Sequence, residues 1–101
     1  SENRWNVISG SIIDQKTLTP IEFATIMINN SADDKQLTGV VSDASGSFRI
    51  ENLPSISVYI KVSYIGFELQ QTKNHNLTGE SRIDVGKIYQ AQRYWNEGCS
   101  Y

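Results

Sequence analysis

From Ile56 to Tyr64 the chain alternates without a break. Ile56, Val58, Ile60, Val62 and Tyr64 occupy one set of positions, and Ser57, Tyr59, Lys61 and Ser63 the other. Successive side chains of an extended strand point to opposite faces, so this period of two predicts a half-buried strand of an antiparallel sheet. Similar patterns flank it. Trp5 to Ile13 reads as a first strand with Ile8, Gly10 and Ile12 on one face. Ile21 to Asn29 reads as a second, with Ala24, Ile26 and Ile28 on one side and Phe23, Thr25 and Met27 on the other. Apolar residues on both sides predict cover on both faces somewhere along that strand.

Leu37 to Ser42 and Ser47 to Leu53 are expected to form a hairpin about Asp43, Ala44, Ser45 and Gly46. The Asp43 side chain can accept a hydrogen bond from the backbone two residues on, and Gly46 can take the positive φ that closes such a turn. Phe67 to Thr72 continues after Gly66, with Phe67 and Leu69 on one face. Lys73 to Glu80 is polar, and Arg82 to Tyr89 is a last strand in which Gly86 shifts the phase between Val85 and Ile88, as a bulge would. About seven short strands separated by turn signals predict a seven-stranded antiparallel β-sandwich, with no room for an ordinary helix.

With 101 residues the chain suffices for one core. Its single cysteine, Cys99, excludes an intrachain disulfide and leaves the redox compartment open. Nine basic and eleven acidic residues are dispersed without a basic stripe, which argues against a nucleic-acid partner. No apolar run reaches the roughly 18 residues of a membrane-spanning helix. Residues 90 to 101, QAQRYWNEGCSY, lose the alternation. They read as a linker or vector-derived tail after a domain spanning residues 1 to 89, or else as a docking segment carrying Tyr94 and Trp95.

The ordered set GSIID, TPIEFATIMI, GVVSDASGSFRIENLP and IKVSYIGFE, covering residues 7 to 88, resembles the carboxypeptidase-regulatory-like, or transthyretin-like, domains of Bacteroidetes proteins. Gly10, Asp14, Pro20, Ala24, Asp43, Gly46, Phe48, Leu53, Tyr64, Gly66 and Phe67 stand where that family has its landmarks. The resemblance implies a transthyretin-like Greek-key sandwich. Its commonest setting is the N-terminal extension of SusC-type TonB-dependent outer-membrane receptors. It therefore implies a non-catalytic accessory domain on the periplasmic side of a nutrient, chiefly glycan, transporter, with the receptor's plug and barrel and other periplasmic or outer-membrane proteins as partners. The family more often has glycine before the Ala24 position, where this chain has Phe23, so a bulge expected there should be straighter.

Catalytic chemistry finds little support in the residues. His75, the one histidine, lies in a polar stretch with no serine and carboxylate placed by pattern to make a triad. Zinc needs about four ligands of recognisable spacing, whereas His75 and Cys99 are two. The ordered acidic loop of a calcium site is missing, although Asp33, Asp34 and Asp43 could supply oxygens. Glu22 with Glu51 is the sort of carboxylate pair that only a cleft would make useful. The first strand has no lysine for the Lys to Asn isopeptide bond of related Gram-positive adhesin modules. No enzyme activity and no cofactor are expected. The alternative is a carbohydrate-binding or adhesive module at the cell surface, with Tyr59, Tyr89, Tyr94 and Trp95 as outward aromatics for glycan or partner contact. Sequons at Asn29 and Asn76 are expected to mark surface loops.

Overall fold

The computed structural model describes residues 6–78 and 81–93, and they form an all-β sandwich of two sheets. The strands are β1 (Asn6–Asp14), β2 (Thr25–Asn30), β3 (Gln36–Val41), β4 (Ser47–Leu53), β5 (Ser57–Ser63), β6 (Gln70–Gln71), β7 (His75–Asn76) and β8 (Arg82–Gln90). One sheet runs β4-β1-β8; the other runs β3-β2-β5-β6, with β7 also paired to β5. The stretch expected as a single strand from Phe67 to Thr72 supplies only β6, and β7 lies in what reads as polar loop. No helix of the described residues is long and apolar enough to cross a membrane.

The inward rows are those the alternation predicts. Ile8 and Ile12 of β1, Ala24, Ile26 and Ile28 in and before β2, and Val58, Ile60 and Val62 of β5 are all fully buried. With Phe48, Ile50, Leu53 and Leu77 they form one core between the sheets, against which Ile56, Tyr64, Ile83, Val85 and Ile88 pack. Gly10 completes the β1 row because a side chain has no space there: a Cβ would lie 2.7 Å from Val85 Cγ2 and 2.9 Å from the Gly86 carbonyl oxygen.

Two pairings depart from expectation. β3 and β4 do not make a hairpin, because β3 pairs with β2 and β4 pairs with β1, in different sheets. The turn between them forms as its residues dictate. Asp43 Oδ1 accepts from the backbone N–H groups of Ser45 and Ser47, and Gly46 takes a φ of 74°. A turn of this kind reverses the chain without obliging its flanks to pair, so the segment acts as an arch between layers. Second, β1 and β8 are parallel, not antiparallel, in register from Val7 opposite Arg82 to Asp14 opposite Gln90. The bulge expected at Gly86 is present: φ is 74° and the register slips between Ser9 and Ser11.

The register places Asp14, Thr25, Val41, Ser47, Ser63 and Gln90 at one end of the sandwich, and Asn6, Asn30, Leu53, Ser57 and Arg82 at the other. Residues beyond 89 belong to the fold as far as Arg93. Gln90 is fully buried, Phe67 bridges to Gln92, and the Arg93 amide donates to the Gly66 carbonyl at 3.0 Å. The domain therefore extends past residue 89, and 94 to 101 lie outside the described residues.

Asp14 ties this end together. Its Oδ1 accepts from the Lys16 and Thr17 backbone N–H groups at 2.8 and 3.3 Å, and its Oδ2 from Gln92 Nε2 at 3.0 Å. Burial pushes its pKa up, but the hydrogen bonds from Gln92, Lys16 and Thr17 outweigh burial and hold the carboxyl below its ordinary value. A carboxyl whose folded pKa is depressed contributes stability above its unfolded pKa, near pH 4, and loses that contribution as pH falls through the folded value. Asp14→Asn is thus expected to be less stable than the parent at pH 7. The gap should close in urea titrations carried progressively below about pH 4; a gap independent of pH would refute the assignment.

Candidate functional site

The aromatics expected to face outward divide. Tyr59 does point away from the core between the sheets, yet it is only 5% exposed. The β2–β3 loop folds over it. Its hydroxyl donates to Asp34 Oδ1 at 2.9 Å and receives the Asn29 amide at 3.4 Å. The Asn29 hydrogen bond lowers the phenol's pKa, but the hydrogen bond to Asp34, burial and the Asp34 charge together raise it. Tyr59 is therefore a pin for the loop and offers no ring face to a glycan, which corrects its reading as a contact residue. Tyr89 is 45% exposed on the outer side of β8. Tyr94 and Trp95 lie outside the described residues, as does Cys99.

His75 sits on β7 opposite Val58, half-buried, and its ring has no hydrogen-bond partner among the described residues. Burial and then the nearby Lys73 charge lower its pKa. No group of three or more His, Cys, Asp or Glu side chains among the described residues is arranged to hold a metal. Asp33 and Asp43 each spend Oδ1 on a backbone amide two residues on. Glu51 pairs with Arg49 on β4, towards the opposite end from Glu22. Asn29 is buried near the end of β2 and so marks no surface loop, whereas Asn76 is exposed. A shallow depression opens between β3 and β4, lined by Val40, Val41, Asp43, Ser47, Phe48 and Arg49.

Two surface features stand out instead. The first is apolar. Leu18, Phe23, Val41, Ile65, Leu69 and Tyr89 are exposed, and the register puts all six at the Asp14 end; of the large exposed apolar residues described, only Leu37 lies elsewhere. Leu18 and Phe23 are 67% and 65% exposed on backbone with φ of 63° and 68°. A non-glycine residue in the left-handed region costs about 1–2 kcal/mol. The turn before β2 thus keeps the conformation glycine would favour, and the strand does not straighten: β2 begins at Thr25, after Phe23 donates its amide to the Ser42 carbonyl. On the outer side Phe23 is exposed and Met27 half-buried, and the expected cover comes further along, where Asn29 and its neighbour Tyr59 are buried. Around them stand Lys16, Glu22, Glu68 and Arg93, all exposed.

The second feature is the edge strand β3, which among the described residues pairs with β2 alone and reads QLTGVV, without a charge or a proline. Natural sheet edges are commonly blunted by charge, proline or bulges, and of these β3 has only the register slip at Leu37. Sequence patterning identified neither feature. The available signals were apolar Leu18 and Phe23 among turn-forming residues, and the lack of charge from Gln36 to Val41.

The family model of the carboxypeptidase regulatory-like domain matches residues 7–86. No curated protein matches the chain by sequence. Among solved structures, the chain is similar to the shaft pilin SpaA from Lactobacillus rhamnosus GG, with a TM-score of 0.60 and 15% identity over 88% of this chain and 48% of that one. It is similar to the group B streptococcus pilus 2b backbone protein, with a TM-score of 0.66 and 13% identity over 91% and 43%. It is also similar to the Klebsiella pneumoniae 5-hydroxyisourate hydrolase, with a TM-score of 0.63 and 16% identity over 87% and 88%. The chain spans less than half the length of the two pilus proteins, and at these identities the likeness is one of fold.

Proposed function

The chain belongs to the carboxypeptidase regulatory-like domain family, and from that premise we propose that it is a non-catalytic interaction domain at the N-terminus of a TonB-dependent outer-membrane transporter for glycans or other nutrients. In this reading the domain sits on the periplasmic side and docks on the plug or on periplasmic partners. The observation that carries the docking role is the apolar end. Exposed apolar side chains gather there on loops and strand ends, two of them on left-handed backbone. Surface of this kind is costly to keep unless something covers it.

The parent reading frame supplies the first test: a plug-like segment followed by many alternating barrel strands is expected, and a peptidase or a repeat array in that position would remove the transport role. The second uses Phe23→Gly in the full-length receptor. Glycine accepts the left-handed φ, so the isolated domain should keep or gain up to about 1 kcal/mol of stability. Uptake at limiting substrate should nonetheless fall, with barrel assembly intact, towards the level of a domain deletion. Unchanged uptake in both the variant and the deletion would defeat the proposal.

A further inference from the structure

We propose that β3 is a self-pairing edge through which two copies of this chain associate antiparallel about Gly39, joining their β3-β2-β5-β6 sheets into one. This inference does not rest on the transporter reading. It begins with the direction of the backbone groups. The Ser42 amide donates to the Ala24 carbonyl at 3.0 Å, and the Ser42 carbonyl accepts from the Phe23 amide at 2.9 Å, so Ser42 turns both its groups toward the β2 side. Antiparallel ladders alternate, so Val40 and Thr38 turn theirs the same way, opposite Ile26 and Ile28. Val41, Gly39 and Leu37 then present their N–H and C=O groups at the open edge. Leu37, left without a partner by the register slip between Ile28 and Asn29, closes the row.

These three residues are exposed on the outer side of the strand, and Leu37 and Val41 are 39% and 56% accessible. In a two-fold antiparallel pair centred on Gly39, Gly39 faces its own copy and Leu37 faces Val41 in both directions. Every open-edge group of the three residues then finds its complement, and two apolar cross-strand pairs form. Such symmetry is self-complementary by construction.

Charge selects β3 over the other edges. Charged side chains along an edge strand hold it in water and oppose the addition of a further strand. β4 carries Arg49 and Glu51, and β8 carries Arg82, Asp84 and Lys87. The far edge of the larger sheet is broken into the two-residue strands β6 and β7. Among the described edge strands, only β3 is both six residues long and free of charge. A contact of six residues per copy falls short of the roughly 800 Å² per partner of a standard interface. The dimer is accordingly weak, with a dissociation constant of about 10–100 µM.

Sedimentation equilibrium of the 101-residue chain across that range should show a reversible monomer–dimer equilibrium. The double variant Leu37→Lys with Val41→Lys, and its counterpart Leu37→Glu with Val41→Glu, should each weaken self-association at least about tenfold, since like charges then face each other. An equimolar mixture of the two should restore dimers, because each lysine faces a glutamate. In the unaltered protein, the amides of Leu37, Gly39 and Val41 should gain protection from hydrogen exchange as concentration rises. That measurement decides the matter even where a double variant fails to fold. A monomer throughout the range, a dimer indifferent to the substitutions, a mixture that fails to associate, or concentration-independent exchange at these amides would overturn the proposal.

Discussion

Replacing Gly46 with alanine should cost about 3 kcal/mol or more, the larger of two stability effects expected in this fold. The left-handed φ of 74° costs any L side chain about 1–2 kcal/mol. The added Cβ would also lie 2.6 Å from the Ile12 carbonyl oxygen and 3.0 Å from Pro20 Cβ. The first of these is backbone, and it already accepts the Ile21 amide. It cannot swing aside as a side chain would, and forced overpacking of this sort adds about 1–3 kcal/mol. Gly66 is the natural control. Its φ is 85°, but none of the described residues lies within 4 Å of the Cβ position. Gly66→Ala should therefore show the backbone cost alone. In thermal melts, Gly46→Ala should lower Tm by roughly 10–20 °C and Gly66→Ala by well under half as much. Equal shifts would mean that the close approach to Ile12 is not what requires glycine at the arch.

The second large effect is expected at Leu77, in a stretch whose sequence gives little hint of a core. Leu77 is 1% exposed, and its amide donates to the Ile56 carbonyl at 3.0 Å. It follows the short β7 and helps close the core at the Ser57 end of β5. Truncation to alanine should cost about 2–4 kcal/mol, the range for a buried leucine whose cavity relaxes only partly. Urea unfolding should show a lower midpoint with an unchanged slope. A loss below about 1 kcal/mol would show that the site collapses around the smaller side chain.

Leu77 also shows where sequence patterning stops. Alternation works when several apolar residues share a face, as in β5, where the inward row runs as its period predicts. A single apolar anchor between Asn76 and Thr78 makes no pattern. The turn at Asp43 and the bulge at Gly86 were legible because each is a local event written by the residues that make it. The placement of β3 and β4 in different sheets was not. The same turn chemistry suits a paired hairpin or an arch, and the choice depends on β2 and β1, which are remote in sequence. Nor was the parallel register of β1 with β8, because a strand's period carries no mark of its partner's direction. Tyr59 was placed on the correct face but given the wrong exposure, since what covers it is the loop at Asp34, 25 residues earlier in the chain. The candidate surfaces were the least legible part, because exposure at Leu18 and Phe23 follows from the end of the sandwich they occupy and not from their neighbours in sequence.

The parallel contact of first and last strands bears on how the domain answers to force. β1 begins beside Arg82 at one end of the sandwich, and β8 finishes beside Asp14 at the other. Tension applied through the two ends of the folded region therefore pulls these neighbouring strands lengthwise past each other. The bonds of their ladder lie across the line of pull and are strained together. They are not peeled open one after another, as they would be had the two strands run antiparallel with both ends on one side. Asp14 and Gln92 clasp the trailing end of the same pair at 3.0 Å. Under tension through its two ends, the folded region therefore meets the load in shear between its first and last strands.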